Sequence, residues 1–178
     1  MSKSLKLARV SAALSAALSA AAAPAHAGEV FGGVYAHAVN TPFSLDSGAE
    51  SGIDLQLGYR GGAFALGLQP YAFGALNTHG DTSYAAVGLS RKFGDRIFIR
   101  PGVGLAIHTG SAAKFENPFN DKIEFGSRIL FEPELGVGVR VAPRITLEAS
   151  WVHMSHAQLF ARQNPGIDNI GARFSVGF

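Results

Sequence analysis

Ser155, His153 and Asp168 carry the groups of one chemistry. A hydroxyl can attack an acyl carbon, an imidazole can take its proton, and a carboxylate can orient the imidazole and stabilise the imidazolium. His153 and Ser155 are two apart, so on an extended chain they stand on the same side. Serine and histidine are frequent residues, and this spacing alone identifies nothing. The reading depends on elements that bring all three side chains to one face.

Those elements are strands. In 53–60, Ile53, Leu55, Leu57 and Tyr59 oppose Asp54, Gln56, Gly58 and Arg60. The same period of two runs through 96–107, 128–141, 144–152 and the C-terminal run Ile170, Ala172, Phe174, Val176, Phe178. Weaker alternation marks 29–38, 64–77 and 83–92, making eight strands. Arg60-Gly61-Gly62-Ala63, Lys92-Phe93-Gly94-Asp95 and Ala142-Pro143-Arg144 read as tight turns. Longer connections fall near 39–51, 78–82, 109–127 and 156–167. An even number of strands with short and long connections in alternation predicts an all-β fold: an eight-stranded antiparallel transmembrane β-barrel of the bacterial outer membrane. Beyond residue 27 no stretch approaches the ~18 consecutive apolar residues of a membrane helix.

Composition says which face is the inside. A soluble eight-stranded barrel would turn its apolar face inward and cover the outside with lysine. Beyond residue 27 the lysines are Lys92, Lys114 and Lys122, all in or beside connections. The polar parity is crowded with Gly and Ala among acids and arginines, as a narrow, side-chain-filled lumen requires. Glu132, Glu134, Glu148, Arg96, Arg100, Arg128 and Arg140 are expected to pair there, since an unpaired buried charge is costly. The alternating aromatic-aliphatic run ending at Phe178 resembles the terminal signal of outer-membrane barrels.

Residues 1–27 combine Lys3, Lys6 and Arg9, an Ala/Leu-rich stretch, and Ala25-His26-Ala27. This is the pattern of a cleaved signal peptide, with the barrel domain in 28–178. The segment also accounts for the formal charge of +2: without it, 12 basic residues face 13 acidic ones. The basic excess therefore points to no nucleic-acid partner. There is no cysteine, which excludes disulfide scaffolds and thiol nucleophiles. The sequence offers no metal-ligand spacing. His37, His79 and His108 are scattered and read as rim, loop or lumen residues.

Parity then returns to the three polar residues. On the seventh strand the lipid-facing series Ile145, Leu147, Ala149, Trp151 continues to His153 and Ser155. On the eighth, counting back from Phe178 along the same face reaches Asp168. With the N-terminus periplasmic, both strand ends lie at the extracellular rim, so the three groups can be neighbours on the outside of the wall.

His153-Met154-Ser155-His156-Ala157 followed by Asn164-Pro165-Gly166-Ile167-Asp168 resembles the signature of the lipid A 3-O-deacylase family, outer-membrane barrel esterases. The resemblance implies His153 as general base, Ser155 as nucleophile, and Asp168 in the place of an acid that is usually Glu. Asn164, with backbone N–H groups near Ala157, is implied for the oxyanion. Trp151 and Leu159 are candidates to line an acyl groove, Trp151 equally a belt aromatic. Two departures stand out. His156 replaces the usual Asn, and the loop is one residue longer. The family interval counted from Ser155 would land on Ile167, which faces the lumen, so parity selects Asp168. Its shorter side chain requires the two strands to bring it closer.

The implied activity is serine-dependent hydrolysis of an ester-linked 3-hydroxyacyl chain of lipid A, with lipopolysaccharide in the outer leaflet as partner and no metal or cofactor. A homodimer is left open. Two other readings also stay open: a non-catalytic structural or adhesion barrel, in which Ser155→Ala changes nothing, and a lipid A acyltransferase, whose product gains mass.

Overall fold

The computed structural model describes residues 28–44, 50–113, 122–157, 159 and 165–178. The expected export segment 1–27 and Asn164 lie outside the described residues. Eight long strands run through the rest: β1 (Glu29–Ala36), β2 (Ile53–Arg60), β3 (Leu68–Asn77), β4 (Tyr84–Arg91), β5 (Ile97–His108), β6 (Ile129–Ala142), β7 (Ile145–Met154) and β8 (Ile167–Gly177). Each pairs antiparallel with the next, and β8 closes on β1 from Glu29↔Gly177 to Ala36↔Ile170. Phe93–Gly94 adds a two-residue pairing to β5 at the β4–β5 turn. The chain is thus a closed eight-stranded antiparallel β-barrel, and closure leaves no free sheet edge. Among the described residues the one helical element is the 3₁₀ turn Ala65–Gly67.

Alternation sorts the side chains as the pleat demands. Val34, Leu55, Leu57, Val87, Val103, Leu105, Val137 and Phe174 are exposed around the outside and form the apolar belt. Inward residues are buried, and the glycines make this possible in so narrow a barrel. A β-carbon on Gly58 would lie 2.5 Å from Phe31, and one on Gly136 would lie 2.4 Å from the Glu148 carboxyl carbon.

The lumen holds a balanced ion network. Arg173 bonds Glu134 at 2.8 Å, Glu148 at 3.0 Å and Gln56 at 3.0 Å. Arg100 bonds Glu29 at 2.6 Å and approaches Glu148 at 3.3 Å. Arg60 bonds Glu29 and reaches Glu134 at 3.4 Å. Three guanidinium groups thus meet three carboxylates, while Glu132 accepts the Tyr71 hydroxyl at 2.5 Å. Four residues expected to pair there stay out of these ion pairs: Glu132, which takes the Tyr71 hydroxyl instead, and three arginines. Arg96 and Arg128 are exposed, and Arg140 pairs with exposed Asp95 at a turn. All three sit beside strand ends, where parity still points inward but depth has run out. Arg60 and Arg173 take the buried places.

Gly28 and Phe178 meet at the short-turn end, where Phe178 N–H donates to the Gly28 carbonyl at 3.0 Å. That end is periplasmic in the outer-membrane plan, and the long connections open outward. One turn differs from expectation. Strand β3 begins at Leu68 rather than at 64, because 64–67 fold into a turn closed by the Phe64 N–H to Leu68 carbonyl bond, with Leu66 at φ 61°.

Candidate active site

Outward parity on β7 presents Trp151 and His153 in succession at the extracellular end. Ser155 lies just past the strand but keeps the same face. Its backbone exchanges two hydrogen bonds with Phe131 of β6, at 2.8 and 3.1 Å. On β8, Asp168 is the register partner of His153. The Asp168 carbonyl turns away from β7 and accepts Val39 N–H at 2.7 Å. The His153–Asp168 pair is therefore of the non-hydrogen-bonded kind, in which facing side chains approach more closely. This is how an aspartate reaches where one more methylene would otherwise be needed.

The three groups form a continuous chain. His153 Nδ1 lies 2.8 Å from Asp168 Oδ1, and His153 Nε2 lies 3.0 Å from Ser155 Oγ. An ionised carboxylate only accepts, so Nδ1 carries the ring proton and Nε2 presents a lone pair to the serine hydroxyl. That is the tautomer a general base needs. Asp168 is fully buried although it faces outward, and Ser155 is 8% exposed.

Asp168 is covered by a segment that sequence reasoning did not single out. After β1, residues 37–44 fold over the rim and lay Thr41, Phe43 and Ser44 against the outside of the wall. Thr41 Oγ1–H donates to Asp168 Oδ2, and Ser44 Oγ–H donates to the Gly166 carbonyl at 2.5 Å. Phe43 is 71% exposed, with its ring 5.7 Å from Trp151 and 6.4 Å from His153. No parity signal could locate these residues, because they belong to no strand and meet β8 across almost the whole chain.

The other candidates divide. Trp151 does more than line a surface. Its Nε1–H donates to Asp168 Oδ1 at 2.7 Å and its ring stacks on His153 at 5.8 Å. Ala157 takes a left-handed conformation, φ 52°, and turns the chain just after Ser155. Leu159 is exposed beyond that turn, with its N–H bonded to the His156 carbonyl at 3.0 Å. Asn164 lies outside the described residues. Among the described residues no group of His, Asp and Glu is arranged to hold a metal ion. Of the scattered histidines, His37 is enclosed. It is buried between Asp54 and Glu50, 2.9 and 3.1 Å away.

A closed barrel with an apolar outer belt, a lumen that holds a buried ion network, and a Ser–His–Asp arrangement on its lipid-facing rim defines an outer-membrane β-barrel with an enzyme-like site. The family model described as Lipid A 3-O-deacylase (PagL) matches residues 47–177, so the chain belongs to the lipid A 3-O-deacylase family. Solved structures with the same fold include the crystal structure of the outer membrane enzyme PagL. It is 21% identical, with a TM-score of 0.57, over 83% of this chain and 98% of that one. The crystal structure of Neisserial surface protein A matches at 13% identity and a TM-score of 0.52, over 86% of this chain and all of that one. A de novo designed transmembrane β-barrel matches at 13% identity and a TM-score of 0.50, over 85% of this chain and 95% of that one. Comparison with curated proteins by sequence gives no match.

Proposed function

We propose that the protein is a serine esterase that removes the ester-linked 3-hydroxyacyl chain at the 3-position of lipid A. The observation that carries this reading is the unbroken Asp168–His153–Ser155 hydrogen-bond chain on the outer wall, within the matched family region. Its position suits the substrate. A lipid A ester lies just below the sugar headgroup in the outer leaflet, level with the extracellular end of the apolar belt. The fatty chain can then descend along the wall beside Phe131, Trp151 and Phe43.

In the proposed mechanism, Ser155 Oγ forms a bond to the ester carbonyl carbon as its proton passes to His153 Nε2. Asp168 stabilises the imidazolium. The tetrahedral intermediate collapses, the bond between the acyl carbon and the sugar oxygen breaks, and His153 returns the proton to that leaving oxygen. Water then gives a proton to His153 and attacks the acyl-serine. Ser155 is regenerated and a 3-hydroxy fatty acid leaves. Backbone N–H groups at the turn around Ala157, with Asn164, are the proposed oxyanion donors.

The test is the mass of lipid A after incubation with the purified, folded barrel. Loss of one hydroxyacyl chain is expected, with Ser155→Ala and His153→Ala inactive but still folded. Unchanged mass with folded wild-type protein sinks the reading, and a gain in mass favours acyl transfer.

A further inference from the structure

The segment from His37 to Ser44 belongs to no strand, yet it supplies one of the three donors that hold Asp168. Oδ1 of that carboxylate faces His153 Nδ1 at 2.8 Å and Trp151 Nε1 at 2.7 Å. Oδ2 receives Thr41 Oγ1–H. The carboxylate sets the direction of the Thr41 hydrogen. It can only accept, and Phe43 N–H donates to Thr41 Oγ1 at 3.0 Å and so takes up one of its lone pairs. Pro42 and Phe43 form a tight turn between Thr41 and Ser44, closed by the Ser44 N–H to Thr41 carbonyl bond at 3.2 Å.

The strap does not depend on Thr41 for its own attachment. Ala38 N–H donates to Asn169 Oδ1 at 3.0 Å, Val39 N–H to the Asp168 carbonyl at 2.7 Å, and Ser44 Oγ–H to the Gly166 carbonyl at 2.5 Å. With the backbone held on both sides, the Thr41 hydroxyl is free to serve the carboxylate rather than to fasten the loop. Residues 38–44 also precede the region matched by the family, which starts at 47, so this support comes from a part of the chain that the family match leaves out.

We propose that Thr41 is a positioning residue for the reaction at Ser155, holding the Asp168 carboxylate in the orientation that presents Oδ1 to His153. The inference rests on the serine-esterase reading above. A carboxylate pinned at both oxygens cannot swing about its own axis, and that orientation keeps the ring proton of His153 on Nδ1. Removing the hydroxyl has two consequences. Fewer molecules hold His153 in the productive arrangement. The carboxylate also keeps more of its charge for the imidazolium, so the acid limb of the pH profile moves to higher pH.

The test uses a fluorophosphonate probe on the full-length folded barrel, which needs no lipid A. Ser155 Oγ bonds to phosphorus, the P–F bond breaks, and the hydroxyl proton leaves through His153 with fluoride. Thr41→Val is expected to label about 10- to 100-fold more slowly, with its acid limb moved up. Thr41→Ser is expected to stay within about threefold of wild type with an unmoved profile. Heat-modifiable migration on a gel shows that each barrel is closed, and Thr41→Ala substitutes if the valine variant does not close. Wild-type rate and profile in Thr41→Val, or a serine variant as slow as the valine one, overturns the proposal. If wild type labels no faster than Ser155→Ala, the nucleophile reading falls and the inference with it. If wild type labels but lipid A keeps its mass, only the substrate reading falls, and the Thr41 rates decide the inference by themselves.

Discussion

Gly166 leaves the space that the His153 imidazole occupies. A β-carbon built there would stand 2.8 Å from His153 Cε1 and 3.4 Å from Nε2. The ring cannot step aside at no cost, because its two nitrogens are engaged by Asp168 and Ser155. Gly166→Ala is therefore expected to break one of these hydrogen bonds while the barrel still closes. With His153 as the proposed base, a displacement of this size is expected to lower turnover by about 10- to 100-fold. Lipid A turnover followed by mass, alongside gel mobility of the folded barrel, checks this. Wild-type turnover in the alanine variant would show that the ring has room to spare.

Asp168→Asn tests whether charge and tautomer matter or only the presence of a polar group. The amide can donate from its nitrogen to either neighbour, and it no longer compels the His153 proton to Nδ1. Protonation at Nε2 leaves nothing to accept the Ser155 proton. The expected loss in kcat is about 10³- to 10⁴-fold, with far less change in KM. A loss confined to KM would move Asp168 from the chemistry to substrate binding.

Phe43 stands beside Trp151 and His153 with most of its ring uncovered, on the lipid side of the wall. An acyl chain reaching Ser155 can cover it. Burial of an aromatic face against a fatty chain contributes roughly 1–2 kcal/mol, so Phe43→Ala is expected to raise KM for a long-chain ester by about 5- to 30-fold. The rise should shrink as the acyl chain is shortened. The alanine backbone still offers its N–H to Thr41, so the turn persists. Equal effects on short and long esters would remove Phe43 from the acyl path.

Much of this was legible in the alternation. A pleat of period two turns sequence parity directly into inside and outside, so the closed barrel and the shared face of His153, Ser155 and Asp168 followed from counting. Parity carries no depth, which is why Arg96, Arg128 and Arg140 were expected among the lumen ion pairs that Arg60 and Arg173 in fact make with the acids. Nor could it show that β3 begins at Leu68, because Ala63-Phe64-Ala65-Leu66 alternates equally well in the wall or in a turn beyond it. Trp151 was placed on the correct face, but its bond to Asp168 depends on rotamers that parity leaves free. Thr41 and Phe43 were invisible because a connection has no pleat, and their partners are distant in the chain.

The lumen network makes a stability prediction that is independent of the active site. Arg173 is buried and holds Glu134, Glu148 and Gln56 together, with its guanidinium 4.7 Å above the Phe31 ring. Removing one partner from such a network leaves carboxylates buried without a counter-charge. Arg173→Ala is expected to cost about 3–5 kcal/mol, whereas Arg140→Ala at the exposed Asp95 pair should cost under about 1 kcal/mol. Urea unfolding of the barrels in lipid vesicles measures both. Similar losses would mean that the lumen is wetter than its burial implies.

The strap also carries a titratable clamp at its root. His37 has Asp54 at 2.9 Å on Nδ1 and Glu50 at 3.1 Å on Nε2, so both ring nitrogens donate and the imidazolium is favoured. Burial by itself would lower its pKa, but the hydrogen bonds and charges of Asp54 and Glu50 override it and raise the value to about 9. Burial pushes Glu50 up, and hydrogen bonds from His37, Thr82 and the Ile123 N–H more than offset this and hold it below the usual carboxylate range. A raised histidine contributes stability that is complete below its unfolded value near 6.5 and is lost as pH rises through about 9. The lowered glutamate acts in the opposite sense, losing its contribution as pH falls. The clamp is therefore firm through neutral pH and releases on the alkaline side. Its release loosens the strap where it leaves β1, next to the Ala38 and Val39 bonds that seat Thr41 and Phe43. The chain has a single tryptophan, and Trp151 touches Phe43, His153 and Asp168. Its emission is expected to change in a step centred near pH 9 in the folded barrel and to show no such step in His37→Gln. A step of the same size and midpoint in both proteins would assign the alkaline transition to another group and detach the strap from His37.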